Sequence, residues 1–128
     1  MQQLPDEFLQ ALAGHEEVLV TSREGTTRGT VPVWFVILAP GVVYLFGFGF
    51  SEKARRWRSD PWVKLRVPGE SDSTEGVAHF VGPDEIDAIA PRIVEHWAMQ
   101  GAPTLEGLRR TLRDGVHVLV RVEGAAPA

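Results

Sequence analysis

The chain has 128 residues, of which 44% are hydrophobic, and its formal net charge is −4. This length suits one domain with a single core, and the negative charge argues against general nucleic-acid binding. The absence of cysteine excludes disulfides, thiolate catalysis and Cys-ligated metal sites. No apolar run approaches the roughly 20 residues that cross a bilayer, and the N-terminus lacks a secretory signal. We therefore expect a cytoplasmic protein without a membrane segment.

The first part of the chain predicts a helix followed by two strands. The helix falls within residues 1–14, a β-rich run covers residues 17–22, and the polar segment 23–27 contains the glycine of a hairpin connection. The next strand, Thr30 to Leu38, is apolar at both parities, which predicts that one face is buried toward the core and the other toward a neighbour or a ligand. Because Pro32 cannot donate a backbone hydrogen bond, it belongs at a strand edge or at a bulge.

The third strand combines aromatic residues with two glycines. Every second residue from Tyr44 to Phe50 is aromatic, whereas Gly47 and Gly49 leave the opposite face without side chains. A bare face of this kind allows a flat ligand or a partner subunit to approach the backbone. A bulge that requires a positive φ at Gly49 is the alternative reason for glycine.

A short basic helix follows this strand directly. Ser51 is placed as its N-cap, and Lys53, Arg55 and Arg56 fall in its first two turns. The N-terminus of a helix already carries a partial positive charge, so cations there are unfavourable unless an anion is bound. The pattern therefore predicts a phosphate-sized anion site at Ser51 to Arg56. The alternative is a helix whose basic side chains are simply solvated.

Three further strands are predicted along the rest of the chain. The strand at residues 62–67 alternates between apolar and basic residues, so one face should be buried and the other cationic. Another strand covers residues 76–82. In the last strand, every second residue from Val116 to Val122 is valine and should face inward. The small-residue tail 124–128 is expected to be disordered.

Two amphipathic helical segments separate the last two strands. The first begins at Asp84 and should be kinked or divided at Pro91, and the second begins near Thr104. The pattern as a whole therefore predicts a single mainly β domain, residues 1–128. Six strands with flanking helices are typical of a small closed barrel.

Three segments together resemble a known family: TVPVWFV, the glycine-containing third strand, and SEKARRWRSDPWVKL. They are similar to the split-barrel family of pyridoxamine-phosphate oxidase-like and flavin- or deazaflavin (F420)-dependent oxidoreductases. The resemblance covers roughly residues 15 to 83. It implies an FMN-binding type of six-stranded split β-barrel that forms a homodimer, with the cofactor between the two subunits. The family's phosphate motif, S-x-K-x-R-x-x-R-x-D/N-P-x-V, is matched in spacing by Ser51, Lys53, Arg55, Arg58, Asp60, Pro61 and Val63.

The resemblance also implies roles for individual residues. Ser51 and Lys53 would hold the cofactor phosphate, with Arg28 as a second phosphate partner, and Arg56 belongs to the same cationic segment. The backbone of Thr30, Val31, Pro32 and Val33 would contact the tricyclic ring, beside Gly49. Two departures from the pattern are that Glu52 stands where pyridoxamine-phosphate oxidases carry arginine, and that their longer C-terminal segment is missing. Pyridoxamine-phosphate oxidase activity itself is therefore not expected.

The sequence gives little sign of other chemistry. His15, His79, His96 and His117 lack metal-ligand spacing, and no hydrolase triad signature or nucleotide-binding fingerprint occurs. Two hypotheses remain open. One is an oxidoreductase that uses FMN or F420 on a small organic substrate, and the other is a non-catalytic carrier of FMN, F420 or a haem-like tetrapyrrole. The catalytic residues are not identified by either hypothesis.

Overall fold

A computed structural model describes residues 2–22, 30–97 and 104–125 of the chain. The predicted hairpin connection at residues 23–27 and the candidate phosphate ligand Arg28 lie outside the described residues. In chain order the elements are α1 (Asp6–Leu12), β1 (Glu17–Ser22), β2 (Thr30–Ala39), β3 (Val42–Phe48), α2 (Glu52–Ser59), β4 (Trp62–Arg66), β5 (Ser73–Phe80), α3 (Pro83–Trp97), α4 (Leu105–Arg113) and β6 (His117–Gly124).

The six strands form one closed antiparallel barrel in the order β1-β2-β3-β6-β5-β4, with β4 returning to β1. This confirms the predicted mainly β barrel with flanking helices. The closed sheet has a side-chain-filled interior, because alternate residues of every strand point inward. None of the described helices has the length and apolar character needed to span a membrane.

The barrel interior is the main hydrophobic core, and both ends are closed by other segments. The N-terminal segment closes the end at the β2–β3 turn, where Leu4 N–H donates to the Gly41 carbonyl at 2.9 Å. At the other end, α2 follows β3, and its Trp57 is only 1% exposed within the same core. The position of α2 is therefore set by burial of a large aromatic side chain as well as by its connection to β3.

Helices α3 and α4 cover the outer face of β2, β3 and β6. Ala90 and Ile93 of α3 and Leu108 of α4 form a second buried cluster, which packs on the strands through Val36 and Leu119. Pro91 does not divide α3, which runs unbroken from Pro83 to Trp97, so the predicted division is wrong, whereas the alternative of a kink at Pro91 stays a prediction. Pro91 is exposed, and solvent can replace the backbone donor that proline lacks.

Two expectations for the last strand also need correction. β6 begins at His117, so Val116 precedes it and is exposed, whereas Val120 and Val122 are fully buried as expected. The strand extends to Gly124, whose N–H donates to the Gln2 carbonyl at 2.8 Å. The tail expected to begin at Gly124 is thus ordered at that residue, and residues 126–128 lie outside the described part of the chain.

A charged network fastens the start of α3 to the barrel. Tyr44 OH donates to Glu85 at 2.8 Å, Arg121 also donates to Glu85, and Arg121 Nε donates to Glu123 at 2.9 Å. Burial, followed by the hydrogen bond to Glu85, raises the pKa of Tyr44 to about 12. Burial also raises the pKa of Glu85, but the hydrogen bonds from Arg121 and Tyr44 outweigh it, so the net pKa is lowered.

The network makes stability depend on the ionisation of Glu85. Replacing Glu85 with Gln should lower the free energy of unfolding at pH 7 by about 1 kcal/mol, because the charge-assisted bonds become neutral ones. Since the folded pKa lies below the ordinary value of 4.5, this stabilisation is complete above that value and is lost as the pH falls through the folded pKa. Urea unfolding at several pH values measures the effect.

Glu95→Gln on the exposed side of α3 is the matched control and should leave stability unchanged. The free energies of unfolding of wild type and Glu85→Gln should converge at low pH. If their difference stayed constant down to about pH 3, the assignment of the lowered pKa to this network would be contradicted.

Candidate functional site

The ladder between β2 and β3 opens at one end of the barrel. Trp34 lies opposite Phe46, but among the described residues Thr30–Val33 pair only with β1. β3 instead continues along β6, where Phe48 lies opposite His117. One backbone edge of Thr30–Val33 is therefore left without a neighbouring strand in the described part of the chain. We call this opening the split.

The split confirms the prediction that Pro32 belongs at a strand edge, because Pro32 has Leu19 of β1 as its only strand partner among the described residues. The irregularity in β2 lies elsewhere, between Val36 and Ala39. Near the split, β2 is buried within the chain on its core face alone, and the expected burial of its other face by a neighbour or a ligand stays a prediction. Val33 is buried, but Pro32 is exposed and Trp34 is 52% exposed.

Ser51 joins β3 to α2. As predicted, it is the N-cap of α2, and its Oγ accepts a hydrogen bond from the Ala54 N–H at 3.2 Å. The same hydroxyl donates to the Phe48 carbonyl at 2.7 Å. Because its one hydrogen is used in this way, Ser51 would have to give up its bond to Phe48 before it could donate to a phosphate. Its role as a phosphate ligand stays a prediction.

Lys53 lies across Gly47 at the level where β3 has left β2. A Cβ at Gly47 would meet Lys53 Cε at 2.6 Å and Nζ at 3.3 Å, so the missing side chain makes room for the lysine. The bare face expected at Gly47 is thus covered by the chain itself. Burial lowers the pKa of Lys53, and the negative charge of Glu17 offsets part of this shift. Among the described residues, Lys53 makes no hydrogen bond or ion pair.

Gly49 is required by the chain's own backbone. A Cβ there would lie 2.1 Å from the Gly115 carbonyl oxygen, and the Gly49 N–H donates to the Val116 carbonyl at 2.9 Å. Its φ is not positive, so a left-handed bulge does not explain the glycine. The side-chain-free face of Gly49 therefore faces the turn before β6, and the expectation of free space for a ligand there is wrong. A backbone contact between Gly49 and a cofactor stays a prediction.

The arginines of α2 have internal partners. Glu52 Oε1 accepts a hydrogen bond from Arg56 at 2.9 Å and lies 3.6 Å from Arg55. Arg58 donates to the Gly49 carbonyl at 3.1 Å, and its guanidinium lies over the Phe80 ring. The argument that these cations need an external anion is therefore wrong for the arginines, because Glu52 supplies a carboxylate in the first turn. It still applies to Lys53.

Large apolar side chains are exposed at the same end of the barrel. Trp34, Phe48, Phe50 and Val116 are all more than two-fifths exposed, and Phe50 reaches 86%. The His117 ring stacks on Phe46 and lies at a tilt against Phe48, and its Nδ1 lies 2.5 Å from the Thr111 hydroxyl. Burial lowers the pKa of His117. Sequence reasoning missed this arrangement, because only the β3–β6 register places His117 beside Phe48.

No family model and no curated protein matches the chain. Solved structures do match. A pyridoxamine 5'-phosphate oxidase-like protein from Listeria innocua has a TM-score of 0.61 and 19% identity, covering 91% of this chain and 90% of its own. An F420 reductase has a TM-score of 0.61 and 15% identity, with coverage of 96% and 97%. The haem storage protein HutZ from Vibrio cholerae has a TM-score of 0.66 and 14% identity, with coverage of 99% and 93%. At these identities the likeness shows a shared split-barrel fold.

The contact between Gly49 and Gly115 leads to a test of stability. Gly49→Ala should lower the free energy of unfolding by about 1–3 kcal/mol, because the new methyl group forces the two backbones apart. Thermal or urea unfolding of the ligand-free protein measures the change. Gly14→Ala is the matched control, since a Cβ at Gly14 meets no atom within 4 Å. Equal stability of the two variants would contradict the packing role of Gly49.

Proposed function

We propose that the protein binds a flavin or deazaflavin cofactor, FMN or F420, in the split and uses it as an oxidoreductase on a small organic substrate. The observation that carries this proposal is the conjunction of an unpaired strand edge with a half-buried lysine. Thr30–Val33 present backbone groups without a neighbouring strand in the described chain, and Lys53 has no anionic partner within hydrogen-bond distance there. A cofactor with a polar ring edge and a phosphate would satisfy both.

The chain's residues fit this division of roles. Lys53 has lost part of its hydration, so a bound phosphate would restore interactions that the ammonium group lacks in the described chain. Backbone N–H and C=O groups of β2 would hold the ring and fix its orientation. When bound, the cofactor would supply the redox chemistry by transferring hydride or electrons. The protein would position it and exclude water with aromatic side chains such as Trp34 and Phe48.

We also propose that the active form is a homodimer with the cofactor between its subunits. Trp34, Phe48 and Phe50 expose apolar area beside the split, and a second copy of the chain is the occupant that would cover it symmetrically. The family resemblance points to the same arrangement. The part of the outer face of β2 near the split, where Pro32 and Trp34 are exposed in one chain, would then be buried by the partner.

A second candidate is a non-catalytic carrier of FMN, F420 or a haem-like tetrapyrrole. The match to a haem storage protein over nearly the whole chain favours keeping it. The absorption spectrum of the purified protein, alone and after addition of each compound, separates the candidates. A flavin or deazaflavin band that is bleached by a reductant and restored by a substrate supports the oxidoreductase. A Soret band, or a flavin spectrum without turnover, supports the carrier.

Lys53 provides the direct test of cofactor binding. Lys53→Met keeps a side chain over Gly47 but removes the charge, so it should weaken binding of FMN or F420 by about 1.5–3 kcal/mol with little loss of fold stability. Fluorescence titration or calorimetry measures the affinity. Arg110→Met, which removes one positive charge from α4, is the control. Unchanged affinity in Lys53→Met would show that Lys53 does not hold the cofactor.

The proposed dimer is tested by mass. Light scattering at micromolar concentration should give twice the mass of one chain, and Trp34→Lys should shift the mass toward the monomer, because it places a charge in the apolar surface. A monomeric mass for the wild-type protein would contradict the proposed arrangement of two subunits around one cofactor.

A further inference from the structure

A cleft lies between the start of α3 and the end of α4, and none of the residues that line it belongs to the split. We call it the helix cleft. Its volume is about 420 Å³, which is within the range of cavities that bind small organic molecules. Its apolar wall includes Val81, Ile86 and Leu112, and these side chains also belong to the second buried cluster. The wall is therefore fixed by the packing of α3 and α4 on the barrel.

Two arginines of α4 border this apolar wall. Arg109 and Arg113 are four residues apart, so they lie on the same side of the helix, and both line the helix cleft. Arg113 makes no hydrogen bond or ion pair with a described residue. Arg110, between them in sequence, does not line the cleft and pairs with Glu106 at 3.3 Å. The arginines of α4 are thus divided between an internal ion pair and the cleft.

The Nε atom of Arg109 is buried but has no hydrogen-bond partner among the described residues. Asp87 Oδ1 lies 3.4 Å from it, close enough for electrostatic attraction but without forming a hydrogen bond. The Asp87 side chain is 67% exposed, so its carboxylate can turn into water. A buried N–H without an acceptor is unfavourable, and an acceptor bound in the cleft would supply the missing bond.

We propose that the helix cleft is a second binding site, which takes a small organic monocarboxylate with an apolar body. The planar guanidinium of Arg109 matches a carboxylate and donates to it from Nε, while the apolar wall contacts the body of the ligand. Arg109, Arg113 and Asp87 together carry one net positive charge. A single carboxylate neutralises that charge, whereas a dianion exceeds it. The site uses no residue of the split and does not depend on the proposed cofactor.

Octanoate is the probe, and octanol, with the same chain but no charge, is its matched compound. A hydrogen bond to a charged group is worth about tenfold or more in affinity, so octanoate should bind at least about tenfold more tightly than octanol at low salt. Calorimetry measures both affinities, and amide chemical shifts locate the site. Octanoate should move the signals of Ile86 and Leu112. Equal affinities, no binding of octanoate at millimolar concentration, or shifts confined to other regions would overturn the proposal.

Neighbouring arginines of α4 supply a matched pair of variants. Arg109→Met removes the guanidinium but keeps an unbranched side chain, so octanoate should bind about tenfold more weakly while octanol binding does not change. Arg110→Met removes the same charge from the same helix outside the cleft and should leave both affinities unchanged. An equal loss in the two variants, or no loss in Arg109→Met, would show that Arg109 does not hold the carboxylate and would overturn the proposal.

Two exposed residues keep the test decisive even if Arg109→Met does not fold. Asp87→Asn removes the carboxylate that competes for Arg109 and should tighten octanoate binding by about threefold, the effect of one like charge at a separation of about 6 Å in water. Arg113→Met removes an attractive charge and should weaken octanoate binding by a similar factor. Opposite changes in these two variants support the proposal. The absence of either change overturns it.

Discussion

The close backbone contact between Gly49 and Gly115 is the constraint on which the candidate site depends. It holds the end of β3 against the turn that begins β6, so that β3 follows β6 and not β2 beyond Phe46. Because β3 departs, the first residues of β2 keep an unpaired edge within the described chain. The same departure directs the chain into α2, and α2 places Lys53 across Gly47. Gly47 in β3 and Gly49 just after its end thus serve two different neighbours, a lysine side chain and a carbonyl oxygen.

The charges around the split are distributed unevenly. Arg55, Arg56 and Arg58 each contact oxygen atoms of the chain. Their positive charges raise the local electrostatic potential, but their guanidinium groups already have partners. Lys53 differs, because it is half-buried and has lost hydration without gaining a bond to any described residue. Loss of hydration is unfavourable for a charged group, and the charge of Glu17 offsets it only in part, so a bound anion would reduce the remaining penalty. This asymmetry among four basic residues makes Lys53 the centre of the proposed site.

Much of this arrangement could be read from local patterns. Alternation and turn residues predicted the six strands, and the position of Ser51 predicted the start of α2. The pairing of Glu52 with Arg55 and Arg56 was not predicted, although their i, i+3 and i, i+4 spacings signal it. The reason for Gly49 could not be found locally. Its neighbour Gly115 is distant in sequence, and only the register of β3 with β6 brings the two together.

The fold alone leaves several functions open, since proteins that share it here include an F420 reductase and a haem storage protein. The function must therefore be argued from the residues of a particular site and not from the fold. The structure offers another concave region, between α3 and α4, lined by Val81, Ile86 and Leu112 among others. That region lies against the helices and lacks the unpaired strand edge that distinguishes the split.

The most direct test of the central claim is to map ligand binding residue by residue. Amide chemical shifts of the labelled protein should be followed by NMR during titration with F420 and with FMN. The largest changes should fall on Thr30, Val31, Val33 and the residues from Ser51 to Lys53, which border the split. Changes concentrated on Val81, Ile86 and Leu112, with none at the split, would contradict the account.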